Sequence, residues 1–129
     1  MPTRYINTDL VLVSQTPLDL ICAELGPRCD ILHNDRNEDG DWQAIIESGL
    51  TTSESAADDI DALLDAIAGF SADAQAEWGE CKKRELDMGF QAGVTWSYKY
   101  EVPQRLVQRI AAAGCSLAVT IYAESPESE

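Results

Sequence analysis

Apolar positions recur along this chain at two spacings, and the switches between them mark out its elements. Asp9-Leu10-Val11-Leu12-Val13 is apolar and β-branched between polar residues, which predicts a strand. Thr16-Pro17 follows, a hydroxyl able to cap a helix and a proline suited to its first position; Leu18, Ile21, Cys22 and Leu25 then keep helical spacing as far as Gly26-Pro27. Cys29 to Leu32 predicts a short strand, Asn34 to Gly40 a polar turn, and Asp41 to Glu47 another strand. The clearest helix sets Ile60, Leu63, Leu64 and Ile67 on one stripe, with Ser53 or Ser55 as its cap and Gly69 as its end. Glu54, Asp58, Asp61 and Asp65 line its opposite side, which reads as a solvated face. Ser71 opens a weaker helix holding Trp78. Glu85 to Phe90 alternates as a half-buried strand should, and so does Val94 to Val102, with Trp96, Tyr98 and Tyr100 on one face. Pro103 opens a third substantial helix with Leu106, Val107 and Ile110 inward, and Gly114 ends it. Ser116 to Ala123 predicts a final apolar strand, and residues 124–129 a flexible acidic tail.

This mixture predicts one α+β domain over residues 1–123, with a mixed or antiparallel sheet and helices mainly on one face. At an offset of 86 residues, Pro17, Leu20, Ile21, Cys29 and Ile31 match Pro103, Leu106, Val107, Cys115 and Leu117. Each set falls in a strand–proline–helix–strand unit. Two such βαβ units sharing a sheet point to a ferredoxin-like split arrangement, enlarged by an extra strand and helix.

Four segments carry a family likeness: "TPLDLICAELG" after the first strand, the "GDW" strand, the "DIDALLDAI" helix and the closing "VPQRLVQRIAAAGCSLAVTIY". Together they resemble the bacterial domain of unknown function 4279 family, over most of residues 8–123, with residues 33–41 fitting least well. The resemblance implies a fold and no reaction.

At 129 residues and 45% apolar content the chain has enough for one core. It contains no run of 18 apolar residues, and its start lacks a signal-peptide pattern and a glycine at position 2, so a cytoplasmic setting is expected. Charge changes the picture more. The net charge is −14, and residues 30–80 hold fourteen acidic side chains against the single basic Arg36. Binding to nucleic acid or to anionic membranes draws on cations, so neither is expected, whereas a basic protein partner is favoured.

Candidate chemistry is sparse. Asp35, Asn37, Asp39 and Asp41 alternate with Gly40 as in a calcium loop, but Ile46 stands where the bidentate glutamate belongs, so an ordinary polar turn is the simpler reading. His33 invites pairing with Cys29 or Cys81 as base and nucleophile, yet its acidic surroundings oppose a thiolate. Cys22, Cys29, Cys81 and Cys115 form no C-x-x-C pair and read as free thiols. No phosphate loop, nucleophile elbow or dinucleotide fingerprint is present, and no cofactor is implied. The expectation is a non-enzymatic protein-binding domain, such as an acidic immunity- or antitoxin-type protein, with Asp58, Asp61, Asp65 and Trp96 as contact residues. The alternative is a small enzyme or ligand-binding protein with a pocket between sheet and helices, to be sought near His33, Asp35 and Asp41. The aromatic row Trp96, Tyr98 and Tyr100 fits either a core face or an exposed ledge.

Overall fold

Strands that alternate apolar and polar residues need one face covered, and among the described residues four helices cover one side of a five-stranded sheet. The computed structural model describes residues 1–51 and 55–124. In chain order the elements are β1 (Arg4–Ser14), α1 (Asp19–Leu25), β2 (Asp30–Arg36), β3 (Trp42–Glu47), α2 (Ala56–Ala68), α3 (Ala72–Gly79), β4 (Cys81–Gln91), α4 (Gln104–Ala112) and β5 (Ser116–Tyr122). The sheet order is β2-β3-β1-β4-β5, antiparallel throughout except that β4 and β5 are parallel. The fold is α+β with a mixed sheet, as the pattern predicted.

Two βαβ units interleave in the first four strands. β1 and β2 run parallel with β3 between them, and β3 and β4 run parallel with β1 between them. The internal likeness at offset 86 therefore pairs unlike units. Its second copy, β4–α4–β5, joins adjacent parallel strands and is not split.

Alternation decides which residues enter the core. Thr8, Leu10, Leu12 and Ser14 of β1, Ala44 and Ile46 of β3, and Leu86, Met88 and Phe90 of β4 are buried on the helix-covered face. Ile21 and Leu25 of α1, Ile60, Leu63 and Leu64 of α2, and Leu106 and Ile110 of α4 pack into the same cluster. Val107, expected inward, is 48% exposed because α4 turns its Leu106–Ile110 stripe to the core and Val107 lies to one side of it. Ser55 caps α2 by accepting from the Asp58 N–H at 3.2 Å, and Ser71 does the same for α3 at Ala74. Ser53, Glu54 and residues 125–129 lie outside the described residues.

Thr16 does not cap α1. Its hydroxyl lies 3.1 Å from that of Ser14, and α1 begins only at Asp19. A carboxylate from another helix substitutes: Glu77 of α3 accepts from the Ile21 N–H at 3.1 Å. In return Glu24 of α1 accepts from the Ser71 N–H at the start of α3 at 2.8 Å. Each helix thus satisfies an orphan donor of the other.

Residues 94–102 form no strand, against the alternation of their sequence. Both flanks of β4 are occupied, by β1 and β5, so these residues cannot pair back onto the strand they follow as a hairpin. The chain instead folds back at Gly93 so closely that a Cβ there would meet the Met1 carbonyl oxygen at 2.1 Å, and the Val94 N–H donates to that oxygen at 2.8 Å.

Candidate functional site

An apolar groove of about 490 Å³ opens on the helix side of the sheet, between β5 and the segment 92–100. Parallel pairing sets Leu117, Val119 and Ile121 beside Leu86, Met88 and Phe90 on one face. The β4 row is buried, but the β5 row is left largely uncovered, with Val119 55% and Ile121 66% exposed. Across from them the rings of Tyr98 and Tyr100 pack on Phe90 at centroid distances of 5.3 and 5.8 Å. Trp96 stands at the rim, 99% exposed. Among the described residues, no Asp, Glu, Lys, Arg, His or Cys lines the groove. The Tyr100 hydroxyl is already engaged, accepting from the Ala57 N–H at 2.7 Å. Such walls bind apolar and aromatic groups and supply no acid, base or nucleophile.

A second, polar concavity of about 280 Å³ lies where β1 and β3 meet the start of α2. Beneath it Asp59, buried in the first turn of α2, accepts from the Tyr5 hydroxyl and, at 2.6 Å, from the Ser48 hydroxyl. Thr8 shares the Tyr5 hydroxyl at 2.7 Å. Burial, then the bond to Asp59, raises the Tyr5 phenol far above its ordinary pKa. With each Asp59 oxygen accepting from a hydroxyl, the network is a bolt between β1, β3 and α2 rather than a poised general base.

The uncovered sheet face carries a third cluster. Asp9 of β1 sits opposite Asp87 of β4 and near Glu47 of β3. Burial, reinforced by the charges of Glu47 and Asp87, pushes the Asp9 carboxyl up to about 6. Asn7 donates to Glu47 at 2.5 Å, and Thr120 donates to Asp87 at 2.8 Å. Among the described residues, no three His, Cys, Asp or Glu side chains are arranged to hold a metal ion.

Compared with protein-family models, curated proteins and solved structures, this chain matches none.

The contact residues expected from the sequence fall in different places. Asp61 takes both guanidinium nitrogens of Arg105, at 3.1 and 2.9 Å, and Arg109 at 2.8 Å, while Asp65 takes Arg109 at 2.9 Å. The row on α2 is thus half docked on α4, which corrects its reading as a solvated face; Asp58 remains exposed. These arginines hold the Asp61 carboxyl below the usual range. Trp96 lies at the groove rim, and Asp58, Asp61 and Asp65 are not among the residues lining that groove.

In the candidate calcium loop, Asn37 spends its side-chain oxygen on the N–H groups of Asp39 and Asp41, both at 3.0 Å. Asp35 accepts from the Arg36 N–H at 2.7 Å, and Asp41 pairs with Lys82 at 2.8 Å. The turn between β2 and β3 is built from these bonds. The four cysteines are free thiols. Burial pushes Cys22, Cys81 and Cys115 up to about 11 and raises Cys29 as well, so each is a poor nucleophile.

Sequence reasoning offered one wall of the groove, the Trp96, Tyr98 and Tyr100 ledge, as an alternative to a core face, and missed the β5 wall. Its signal was present in Ser116 to Tyr122, a strand without one charged residue, but nothing local reveals that this strand lies at the sheet edge.

Proposed function

We propose that this chain is a non-catalytic binding domain that takes an extended apolar segment of a basic protein into the groove beside β5. The observation that carries this reading is the groove lining: aromatic and aliphatic walls, an exposed tryptophan at the rim and, among the described residues, no titratable group beyond tyrosine. Charge complementarity selects the partner. The surplus of acid over residues 30–80 attracts a basic protein over a Debye length, and the uncharged groove then accepts its apolar segment. An immunity- or antitoxin-type role, an acidic protein blocking a basic one, is the specific form of this reading. Kinship with the domain of unknown function 4279 family is proposed alongside it, on the helix and strand segments quoted above.

The test is capture from host extract with wild-type protein, Trp96→Ala and Ile121→Asp, both exposed positions. A basic partner held by wild type should be lost by both variants while their unfolding midpoints stay unchanged. Retention by both variants, or recovery of acidic proteins alone, would sink the proposal.

A further inference from the structure

We infer that β5 also pairs antiparallel with β5 of a second copy of this chain, centred on Val119, to join two five-stranded sheets into one. The two edges of the sheet are built differently. β2 carries Asp30, His33, Asp35 and Arg36, the kind of charged edge that resists pairing. β5 reads Ser-Leu-Ala-Val-Thr-Ile-Tyr, with no charge and no proline, and among the described residues no strand lies against its outer side. Leu117, Val119, Ile121 and Tyr122 are each at least 40% exposed there.

The strand is also self-complementary. Antiparallel pairing about Val119 sets Val119 opposite Val119 of the second copy, Leu117 opposite Ile121, and Ala118 opposite Thr120. Each apolar residue on the helix-side face then meets another, because a two-fold axis normal to the sheet keeps the same faces together. Charge opposes pairing less at this edge than at the β2 edge. Residues 92–124 hold three basic and two acidic side chains in a chain of net −14, so two copies meet away from the acidic stretch 30–80. The pairing does not depend on what fills the groove. It would, however, close the open flank of each groove with the apolar row of the other copy, making one continuous trough.

Sedimentation velocity over a concentration series, at low and at high salt, tests this. The expected result is a monomer–dimer equilibrium that tightens several-fold in high salt, because apolar contact and backbone bonds hold the dimer while the acidic surfaces repel. Val119→Lys should weaken it by about tenfold or more, since two lysines face each other on the axis. Leu32→Lys, on the β2 edge and also at an exposed position, should leave it unchanged. Amide exchange of wild-type residues 116–122 should slow as concentration rises, a readout that needs no variant. A monomer under all conditions, a dimer that weakens with salt, or one disrupted by Leu32→Lys and not by Val119→Lys would overturn the inference.

Discussion

The carboxyl of Asp9 illustrates how one residue trades stability for charge. Its pKa rises to about 6 through burial and the neighbouring Glu47 and Asp87, against roughly 3.9 in an unfolded chain. A folded pKa above the unfolded one means that the native state binds the proton more tightly. Stability from Asp9 is therefore full below about pH 4 and is lost as pH rises through about 6. Asp9→Asn should accordingly raise stability at pH 8 by about 1 kcal/mol, the shift being discounted for solvent screening on a half-open face, and should change little below about pH 4. Denaturant midpoints across that range check it; a stabilisation that grows toward acid would contradict the assignment. Tyr5 makes the opposite case. Its hydroxyl bridges Thr8 and the buried Asp59, so Tyr5→Phe should cost about 1–2 kcal/mol and leave an Asp59 oxygen short of a donor. An unchanged midpoint would mean that the bolt does not hold α2 to the sheet.

Among the elements, α2 was legible because its information is local: Ile60, Leu63, Leu64 and Ile67 repeat at the helix period, and Ser55 caps it. Residues 94–102 carry an equally clean alternation and form no strand; β4, the strand they follow, has both flanks filled by β1 and β5 and cannot take them as a hairpin partner. The acidic row on α2 misled for a similar reason. Arg105 and Arg109, which neutralise Asp61 and Asp65, lie 44 to 48 residues away, and no window of sequence connects them. These contacts give a stability consequence. Asp61→Asn with Asp65→Asn should cost about 1 kcal/mol at low salt and much less at high salt, since the pairs are largely exposed, whereas Asp58→Asn alone should fall within a few tenths. Chemical unfolding of the three proteins at two ionic strengths measures it, and equal effects at Asp58 would return the row to solvent. The turn after β3 has a backbone requirement of its own. Gly49 has φ +79°, and a Cβ there would lie 2.5 Å from the Arg28 carbonyl oxygen. Gly49→Ala should therefore cost about 2 kcal/mol or more, a loss that thermal unfolding would reveal.

At the scale of the whole molecule, two electrostatic effects oppose each other and salt separates them. Twenty-three acidic side chains against nine basic ones repel across the folded chain and destabilise its compact state. Against this stand a few close ion pairs, Asp41 with Lys82, Glu85 with Lys83, and the two aspartates of α2 with the arginines of α4. These are solvent-facing pairs, worth roughly 0–1 kcal/mol each. The repulsion is long-ranged and is felt by every uncompensated acid, while the pairs are few and local. Salt screens both, since the Debye length shrinks from roughly 20–30 Å at ~0.02 M to under about 5 Å at ~0.5 M. Relief of the repulsion should win, and the monomer's unfolding midpoint should rise with ionic strength. The measurement belongs at protein concentrations low enough that no dimer contributes, with sodium chloride and not a strongly excluded salt, so that screening is isolated from effects on apolar burial. A midpoint that falls would show that the ion pairs across α2 and α4 outweigh the −14 charge. The acidic surface would then be a structural element in its own right, and its use for steering a basic partner would lose its main support.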